Sequence, residues 1–329
     1  MMTTASLRRS PARGGGRTDP PRPGRKRRGK PQHAARMAHE GLWGYAFLAP
    51  WFLGLLGLTL GPLIASLYFS FTDYNLISSP EWTGVDNYVR MFTEDSRYWQ
   101  SAKVTLTYVL VGVPLELAMA LLVAVVLNRG LRALNLYRAV FYLPSLLGGS
   151  VAIAILWRQL FGVEGLVNQF LGMFGIETQS WVASPDTALG TLIILNVWQF
   201  GAPMVIFLAG LRQVPGELYE AASVDGASVV RKFLAITLPL LTPIIFFNLI
   251  LRIINAFQAF TPAYIVSGGT GGPTDSTLFY TLYLYQQGFA NLDMGYAAAM
   301  AWVLLIVIGI FTAANFLFSR FWVFYGDEG

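Results

Sequence analysis

The sequence predicts an all-α, polytopic membrane protein with six transmembrane helices and a helical loop on the cytoplasmic side. Hydrophobic residues make up 54% of the 329-residue chain and charged residues only 12%, which is about half the charged share of a soluble domain. Six apolar segments are long enough to cross a hydrocarbon core of about 30 Å as helices. A short polar segment near residues 214–233 separates two of them and has the pattern of two small helices joined by a turn.

The first 40 residues differ in composition from the rest of the chain. They hold 11 of the 23 Lys and Arg residues, among many Pro and Gly residues, with only Asp19 and Glu40 as acids. Such a segment cannot bury enough apolar surface to fold. We therefore predict a basic, disordered cytoplasmic tail at residues 1–40, followed by a membrane domain at residues 41–329. The tail lacks interleaved aromatic residues, so attraction to anionic lipid explains its charge better than nucleic-acid binding does.

The six predicted spans follow one another along the membrane domain. Each is a run of apolar residues at least as long as the roughly 20 helical residues that a crossing needs. Pro50 and Pro62 fall inside the first span and predict a bent or broken start. The predicted spans are Leu42–Phe71, Val104–Leu127, Ala139–Phe161, Ala188–Leu211, Leu234–Phe260 and Ala297–Phe318.

Basic residues in the short loops predict the orientation of the spans. Lys and Arg favour cytoplasmic loops, and they follow spans two, four and six, whereas residues 159–211 and 253–319 contain none. Arg90, Arg97 and Lys103, which follow span one, are an exception that the other loops and the basic tail outweigh. Both termini and the polar segment between spans four and five are therefore predicted to be cytoplasmic.

The residues that most hydrolytic chemistries need are missing from the membrane domain. There is no Cys, and His33 and His39 both lie in the tail, so no thiolate or imidazole metal site and no Ser-His-Asp site is expected. None of the four Lys residues is followed by Ser or Thr, so the chain has no phosphate loop of the Gly-Lys-Ser/Thr type. We expect no catalytic residue, no metal and no bound cofactor.

The polar segment between spans four and five has the sequence of a helical docking hairpin. Pro215 has the fixed φ that suits the first turn of a helix, and Glu217 follows where the helix dipole favours an acid. Two successive alanines keep one face small, so that another surface can approach closely. Asp225-Gly226 then breaks the helix with a residue that tolerates left-handed backbone angles, and a second helix resumes towards the membrane.

The spacing of these residues resembles the EAA loop of bacterial ABC-importer permeases, most closely the sugar-importer branch that includes the maltose and glycerol-3-phosphate permeases. In that family the loop forms a coupling helix, which inserts into a cleft on the ATP-hydrolysing subunit. The alternative is an ordinary amphipathic connection, which has no reason to hold these residues and the downstream Pro239 and Pro243 at these separations. The matching positions for coupling to the ATPase are Glu220, Ala221, Ala222, Asp225, Gly226, Ala227 and Phe233.

The resemblance, which covers the chain from about Leu42 onwards, implies a function and a set of partners. The chain would be a permease subunit of the bacterial inner membrane, not an enzyme, and it would form the path for a sugar or related polyol by alternating access. Separate ABC ATPase subunits would bind and hydrolyse ATP. A second permease subunit, usually a different chain, and an extracytoplasmic solute-binding protein would complete the transporter.

Polar residues inside the fifth span suggest where a substrate could pass. Asn248, Arg252 and Asn255 lie at i, i+4 and i+7, which places them on one helical face, and Gln258 lies close to that face. Polar groups within a membrane are costly and normally face a bundle interior or a wet pathway. Two interpretations stay open: the stripe lines the substrate path, or it joins helices, with Arg252 held by backbone carbonyls or by an acid of a partner subunit.

The fourth and second spans hold further candidates. Asn196 and Gln199, at i and i+3, can share a helical face and are predicted as path residues. Pro203 leaves a carbonyl near Gln199 without its helical partner, which predicts a hinge there. Glu116, a single acid in the second span, could relay protons in a secondary transporter or pair with an Arg, and we favour the pair.

Two other classes of protein fit the sequence less well. A self-sufficient secondary transporter or channel should show coupling acids or inverted repeats, and Glu116 is the one acid that we find inside a span. A membrane enzyme would need clustered acid, base or metal ligands at one membrane face. The acids of the outer loops have neither Cys nor His beside them and no matched spacing.

Overall fold

The computed structural model describes residues 47–130, 133–176 and 179–324, and these residues are mainly helical. The predicted basic tail at residues 1–40 lies outside the described residues. The chain divides after Leu60 into two units. The described part of the first unit, residues 47–60, is helical and ends in a π-helical turn, Leu55–Leu60.

The second unit consists of helices that are joined by short loops. Its α-helices are Gly61–Phe69, Asp86–Thr93, Ser96–Thr107, Val113–Leu127, Leu134–Leu147, Val151–Leu160, Leu166–Gly172, Ala188–Trp198, Gly201–Leu211, Gly216–Val224, Val229–Lys232, Leu238–Phe257, Thr261–Val266, Tyr280–Tyr285 and Met294–Trp322. Three π-helical turns, Tyr108–Gly112, Phe233–Thr237 and Gln286–Ala290, and one 3₁₀ turn, Pro273–Asp275, adjoin them. Two short strands, Thr72–Asp73 and Glu81–Trp82, pair antiparallel with Thr72 opposite Trp82.

Four long helices in the described residues have the length and hydropathy of membrane spans. They are Phe47–Phe69, Ser96–Leu127, Val229–Val266 and Met294–Trp322. Two bent helix pairs, Leu134–Leu147 with Val151–Leu160 and Ala188–Trp198 with Gly201–Leu211, pass the same test when each pair is taken together. Counted in this way, the spans number six, as the sequence predicts.

The third predicted span, Ala139–Phe161, is not a continuous helix. Its two halves meet at 97°, and the break follows Pro144 and falls at Gly148-Gly149-Ser150. Ser150 begins the second half by accepting a hydrogen bond from the backbone N–H of Ile153 at 3.3 Å, as a helix N-cap does. Hydropathy alone cannot detect such a break, because both halves are apolar.

The core of the second unit forms where spans two, four and five pack together. Small residues allow close approach in this region, as is common for membrane helices. Ala120 and Ala124 of span two are completely buried, and helix Val113–Leu127, which carries them, packs against helix Gly201–Leu211. A Cβ atom at Gly210 would lie only 2.2 Å from Cδ1 of Ile244, so span five lies almost against the backbone of span four.

A cluster of tyrosines around Asp95 joins the residues before span two to those that lead into span six. The Asp95 carboxylate accepts hydrogen bonds from the hydroxyls of Tyr283 at 2.7 Å and Tyr296 at 2.5 Å, and one from the backbone N–H of Tyr98 at 3.0 Å. Burial raises the pKa of Asp95, but these hydrogen bonds, together with the backbone of Arg97, outweigh burial and hold the pKa below its ordinary value.

Two ion pairs flank this cluster. They involve two of the three basic residues after span one that depart from the predicted cytoplasmic placement of Lys and Arg. Arg90 contacts Asp293 at 2.8 Å, and Arg97 forms a two-pronged pair with Asp275 at 2.7 and 2.8 Å. Two of the three basic residues that follow span one are therefore neutralised within the chain. Lys103 is the third.

Candidate functional site

A polar cavity lies among spans two, four and five. Its volume is about 350 Å³. Spans that are otherwise apolar supply charged, amide and hydroxyl groups to its wall, and an aromatic ring, a proline and three small residues complete the lining. The lining residues are Tyr108, Glu116, Gly149, Asn196, Gln199, Arg252, Asn255, Ala256, Ala259, Phe260, Thr261 and Pro262.

A buried ion pair forms part of the cavity wall. Nη1 of Arg252 lies 3.3 Å from Oε1 of Glu116, whose side chain is 1% exposed, against 23% for Arg252. The structure thus confirms the ion-pair interpretation of Glu116. The partner of Arg252 is an acid of its own chain, which neither alternative from the sequence had named.

Hydrogen bonds extend the ion pair into a chain of four side chains. The amide nitrogen of Asn196 donates to Oε2 of Glu116 at 3.2 Å, and the Tyr108 hydroxyl donates to the amide oxygen of Asn196 at 3.2 Å. Asn196 is therefore held at both ends. Tyr108 lies at the start of the π-helical turn Tyr108–Gly112, a local widening that often marks functional positions in helices.

The bend in the fourth span lies beside the cavity, as Pro203 predicts. Helices Ala188–Trp198 and Gly201–Leu211 meet at 41°. The hydroxyl of Ser145 bridges the break, because it donates to the carbonyl of Gln199 at 2.7 Å and accepts from the N–H of Ala202 at 2.9 Å. A side chain from the broken third span thus satisfies backbone groups that the bend leaves without helical partners.

The structure separates the predicted path residues into two groups. Asn196, Gln199, Arg252 and Asn255 line the cavity, whereas Asn248 and Gln258 are not among its lining residues. Asn248 is 2% exposed, and its amide donates to the carbonyl of Ile244 one turn earlier in the same helix, at 2.9 Å. The i, i+7 spacing of Asn248 and Asn255 shows that the two residues share a helical face, but it does not show how far along that face the cavity extends.

Several lining residues were not singled out from the sequence. Tyr108 and Phe260 resemble ordinary aromatic residues of a span, and Thr261-Pro262 resembles a helix end. Phe260 stacks on Tyr264 with ring centroids 5.3 Å apart. Pro262, in the first turn of helix Thr261–Val266, is the one signal that could have marked a helix start beside a polar site.

The predicted docking hairpin is present as two helices joined by a left-handed turn. The first helix runs from Gly216 to Val224, so Pro215 precedes it as N-cap rather than occupying its first position. Gly226 has φ +73°, and the N–H of Ala227 donates to the carbonyl of Ala222 at 2.9 Å. This is the hydrogen bond by which a helix commonly ends at a glycine.

Side chains that the sequence analysis did not select hold the hairpin together and fix it to the fifth span. The hydroxyls of Tyr219 and Thr237 are 2.8 Å apart, and Nζ of Lys232 donates to the Ser223 hydroxyl at 2.6 Å. Ser228 caps the second helix by accepting from the N–H of Arg231. Ser228 stands immediately before an apolar pair, a pattern that could have predicted the cap.

The outward side of the hairpin is exposed and partly apolar. Glu220, Ala221, Asp225 and Gly226 are exposed, and Ala222, Ala227 and Phe233 are half-buried. Val224 is 89% exposed at the tip of the first helix. Val229 and Val230 of the second helix are also exposed, at 73% and 67%.

A set of apolar spans around a polar cavity with a balanced charge pair, joined to an exposed helical hairpin, defines a membrane transport subunit. The profile of the family described as binding-protein-dependent transport system inner membrane component matches residues 96–322. The chain belongs to this family and is an integral membrane protein.

Individual relatives agree with this assignment. The chain is 54% identical over 290 residues to the probable ABC transporter permease protein YesP of Bacillus subtilis (strain 168), covering 88% of this chain and 94% of YesP. It is 32% identical over 283 residues to the lactose transport system permease protein LacF of Rhizobium radiobacter, covering 84% and 94%. The same fold occurs in a chain of a bacterial alginate ABC transporter, whose crystal structure was solved in complex with an alginate pentasaccharide-bound periplasmic protein. The TM-score is 0.74 at 22% sequence identity, and the match covers 87% of this chain and 96% of that one.

Proposed function

We propose that this chain is a permease subunit of an ABC importer for a sugar or related polyol, with both termini in the cytoplasm. The single observation that carries the proposal is the exposed hairpin at Gly216–Lys232. The Lys232–Ser223 hydrogen bond joins its two helices, and the Tyr219–Thr237 hydrogen bond holds it to span five. A loop with no partner has no need of a rigid, outward-facing helix with small residues on its surface. The names of the relatives, which include lactose and arabinooligosaccharide permeases, support the substrate class.

The proposed orientation places the hairpin on the cytoplasmic side, where separate ATPase subunits would grip it. The Arg90–Asp293 and Arg97–Asp275 pairs support this orientation, because they cancel two charges that oppose it. A second permease subunit and an extracytoplasmic solute-binding protein would complete the importer. ATP is bound and hydrolysed by the partner subunits, and this chain supplies the coupling surface.

In the proposed mechanism the cavity lies on the substrate path. The guanidinium of Arg252 and the amide of Asn255 offer hydrogen bonds to sugar hydroxyls, as does the amide oxygen of Gln199, whose nitrogen donates to the Leu195 carbonyl. Asn196 has both ends of its amide engaged, so its role is to hold the wall in place. The cavity would open alternately to either side as the hairpin moves with the ATPase subunits.

Gly226→Arg tests the coupling role, and Gly175→Arg is its matched control. Both glycines have a positive φ, +73° and +74°, and a Cβ at either would meet no atom within 4 Å. The backbone strain of the two variants is therefore similar. Gly175 lies in the connection that precedes span four, whereas the hairpin follows that span.

We expect both variants to insert, and only Gly226→Arg to lose uptake and co-purification with the ATPase subunit. The measurements are substrate uptake in cells and mass spectrometry of the affinity-purified complex. Equal uptake by the two variants would overturn the coupling role. Transport by the purified chain in liposomes without ATP would instead favour the secondary transporter.

A further inference from the structure

A small notch lies behind the docking hairpin, where it meets the ends of spans two and five. Its volume is about 210 Å³. Its polar wall consists of five side chains from three different parts of the chain, with four apolar residues between them. These five, which we call the basic notch, are Asn128, Arg129, Tyr219, Lys232 and Thr237.

The charge of the basic notch is positive and is not balanced locally. The residues that line it include two cations and no carboxylate. Within the part of the chain that the structure describes, no carboxylate oxygen lies within 4.0 Å of Arg129 or Lys232. Lys232 donates one hydrogen bond to a neutral hydroxyl, that of Ser223, which leaves its charge uncompensated. Arg90, Arg97 and Arg252 each have a carboxylate partner. Among the described residues, Arg129 and Lys232 share the lack of one with exposed cations such as Arg212 and Arg231.

The notch has the donors that a phosphate group requires. An arginine offers a planar fork to phosphate oxygens, and a lysine offers a compact positive charge. The amide of Asn128 adds a further donor at the same wall. Basic pockets between membrane helices at the cytoplasmic face bind anionic headgroups, and the cytoplasmic placement used here rests on the proposed function.

We propose that the basic notch binds a phosphate group, carried by an anionic lipid headgroup or by a free phosphate compound. Arg129 stands at the end of span two, and Lys232 stands at the start of span five beside the hairpin. A phosphate between them ties the hairpin to span two, to which no side-chain hydrogen bond joins it in the described residues. Occupancy of the notch therefore stiffens the surface that receives the ATPase subunit.

The test compares Arg129→Gln/Lys232→Gln with Arg212→Gln/Arg231→Gln in the full-length chain. The control removes two exposed arginines from the segment between spans four and five, which also holds Lys232, and neither arginine lines the notch. Both variants therefore lose the same charge. Each protein is placed in nanodiscs of phosphatidylcholine, with or without phosphatidylglycerol, and retained lipid is counted by native mass spectrometry. Inorganic phosphate is titrated separately in phosphatidylcholine discs while the unfolding temperature is followed.

If the phosphate comes from lipid, retention of phosphatidylglycerol falls at least about tenfold further in the notch variant than in the control. Both variants lose the same diffuse attraction to an anionic surface, but only the notch variant loses hydrogen bonds to the headgroup. If it comes from a free compound, inorganic phosphate raises the unfolding temperature of the wild type and the control but not of the notch variant. Equal behaviour of the two variants with both probes overturns the proposal. Neither readout needs an ATPase or a substrate, so a failed coupling test at Gly226 leaves this result independent.

Discussion

Removing Arg252 should destabilise the protein more than neutralising Glu116. The carboxylate is 1% exposed, whereas the guanidinium is 23% exposed and borders a polar cavity. Arg252→Met therefore leaves a buried charge without its partner, while Glu116→Gln leaves a charge that the cavity can hydrate. At 3.3 Å and an effective dielectric constant of about 20, the direct attraction within the pair is about 5 kcal/mol.

Breaking a buried pair from one side typically costs about 3–5 kcal/mol, which we expect for Arg252→Met. Glu116→Gln keeps an acceptor for Asn196 and should cost about 1–2 kcal/mol. The double variant should be more stable than Arg252→Met alone, because no unpaired charge remains. At about 2.1 cal/mol/K of unfolding entropy per residue, 3–5 kcal/mol corresponds to a loss of roughly 5–9 °C in unfolding temperature for a unit that spans Gly61–Gly329.

The assay is thermal unfolding of the purified complex in one detergent and lipid mixture, with the wild type, both single variants and the double variant measured together. The decisive quantity is the order of the four unfolding temperatures. If Glu116→Gln proves the more damaging single change, or if the double variant loses the sum of the two, the reasoning from burial is refuted. Uptake measured on the same variants separates a loss of stability from a loss of transport.

Three further predictions concern other parts of the chain. Asn255→Ala should lower the substrate-stimulated ATPase activity of the assembled complex by about tenfold or less, because the substrate would lose one or two hydrogen bonds. Unchanged kinetics would show that Asn255 has a structural role instead. Ser145→Ala should lower the free energy of unfolding by about 1–2 kcal/mol, because the Gln199 carbonyl loses its hydrogen-bond donor. Ser145→Thr, which keeps the hydroxyl, should lower it less, and the reverse order would contradict the role of Ser145 as a bridge. Because the folded pKa of Asp95 is lowered, its contribution to stability is complete above the unfolded value of about 4 and is lost as the pH falls through the folded value. The unfolding temperature should therefore fall more steeply between pH 7 and pH 3 for the wild type than for Asp95→Asn. Parallel curves would show that Asp95 does not contribute to the pH dependence of stability.

The sequence predicted the features that depend on local chemistry. The six spans follow from hydropathy, the hairpin turn from Asp225-Gly226, and the bend in span four from Pro203. Each of these needs only the residues of one segment, and backbone geometry or side-chain size decides the outcome. The Glu116–Arg252 pair was partly predictable as well, because Glu116 is the one acid inside a predicted span and an arginine in the middle of a span needs a partner; Arg158, near the end of the third predicted span, is the other arginine inside one.

Contacts between segments could not be read in the same way. Ser145 bridges a break that lies 54 residues further along the chain, and Asp95 accepts hydrogen bonds from tyrosines that are 188 and 201 residues away. The residues next to Ser145 or Asp95 in the sequence do not indicate which distant residue each of them contacts. The 97° break in the third span was missed for a related reason, since both of its halves satisfy the hydropathy of a crossing.

The fifth span joins the two sites of the molecule, because its helical segments follow one another without a break from Val229 to Phe257. This run carries Lys232 and Thr237, which hold the first helix of the hairpin, and Arg252, which completes the ion pair in the cavity. Fifteen residues from Thr237 to Arg252 correspond to roughly 22 Å of helix at about 1.5 Å per residue. A packed helix moves largely as a body rather than by stretching, so in the proposed importer a displacement of the hairpin is expected to reach the Arg252–Glu116 contact, with Pro243 between them as a site of bending. In the proposed importer, the same helix therefore senses the ATPase at one end and changes the polar wall of the cavity further along its length.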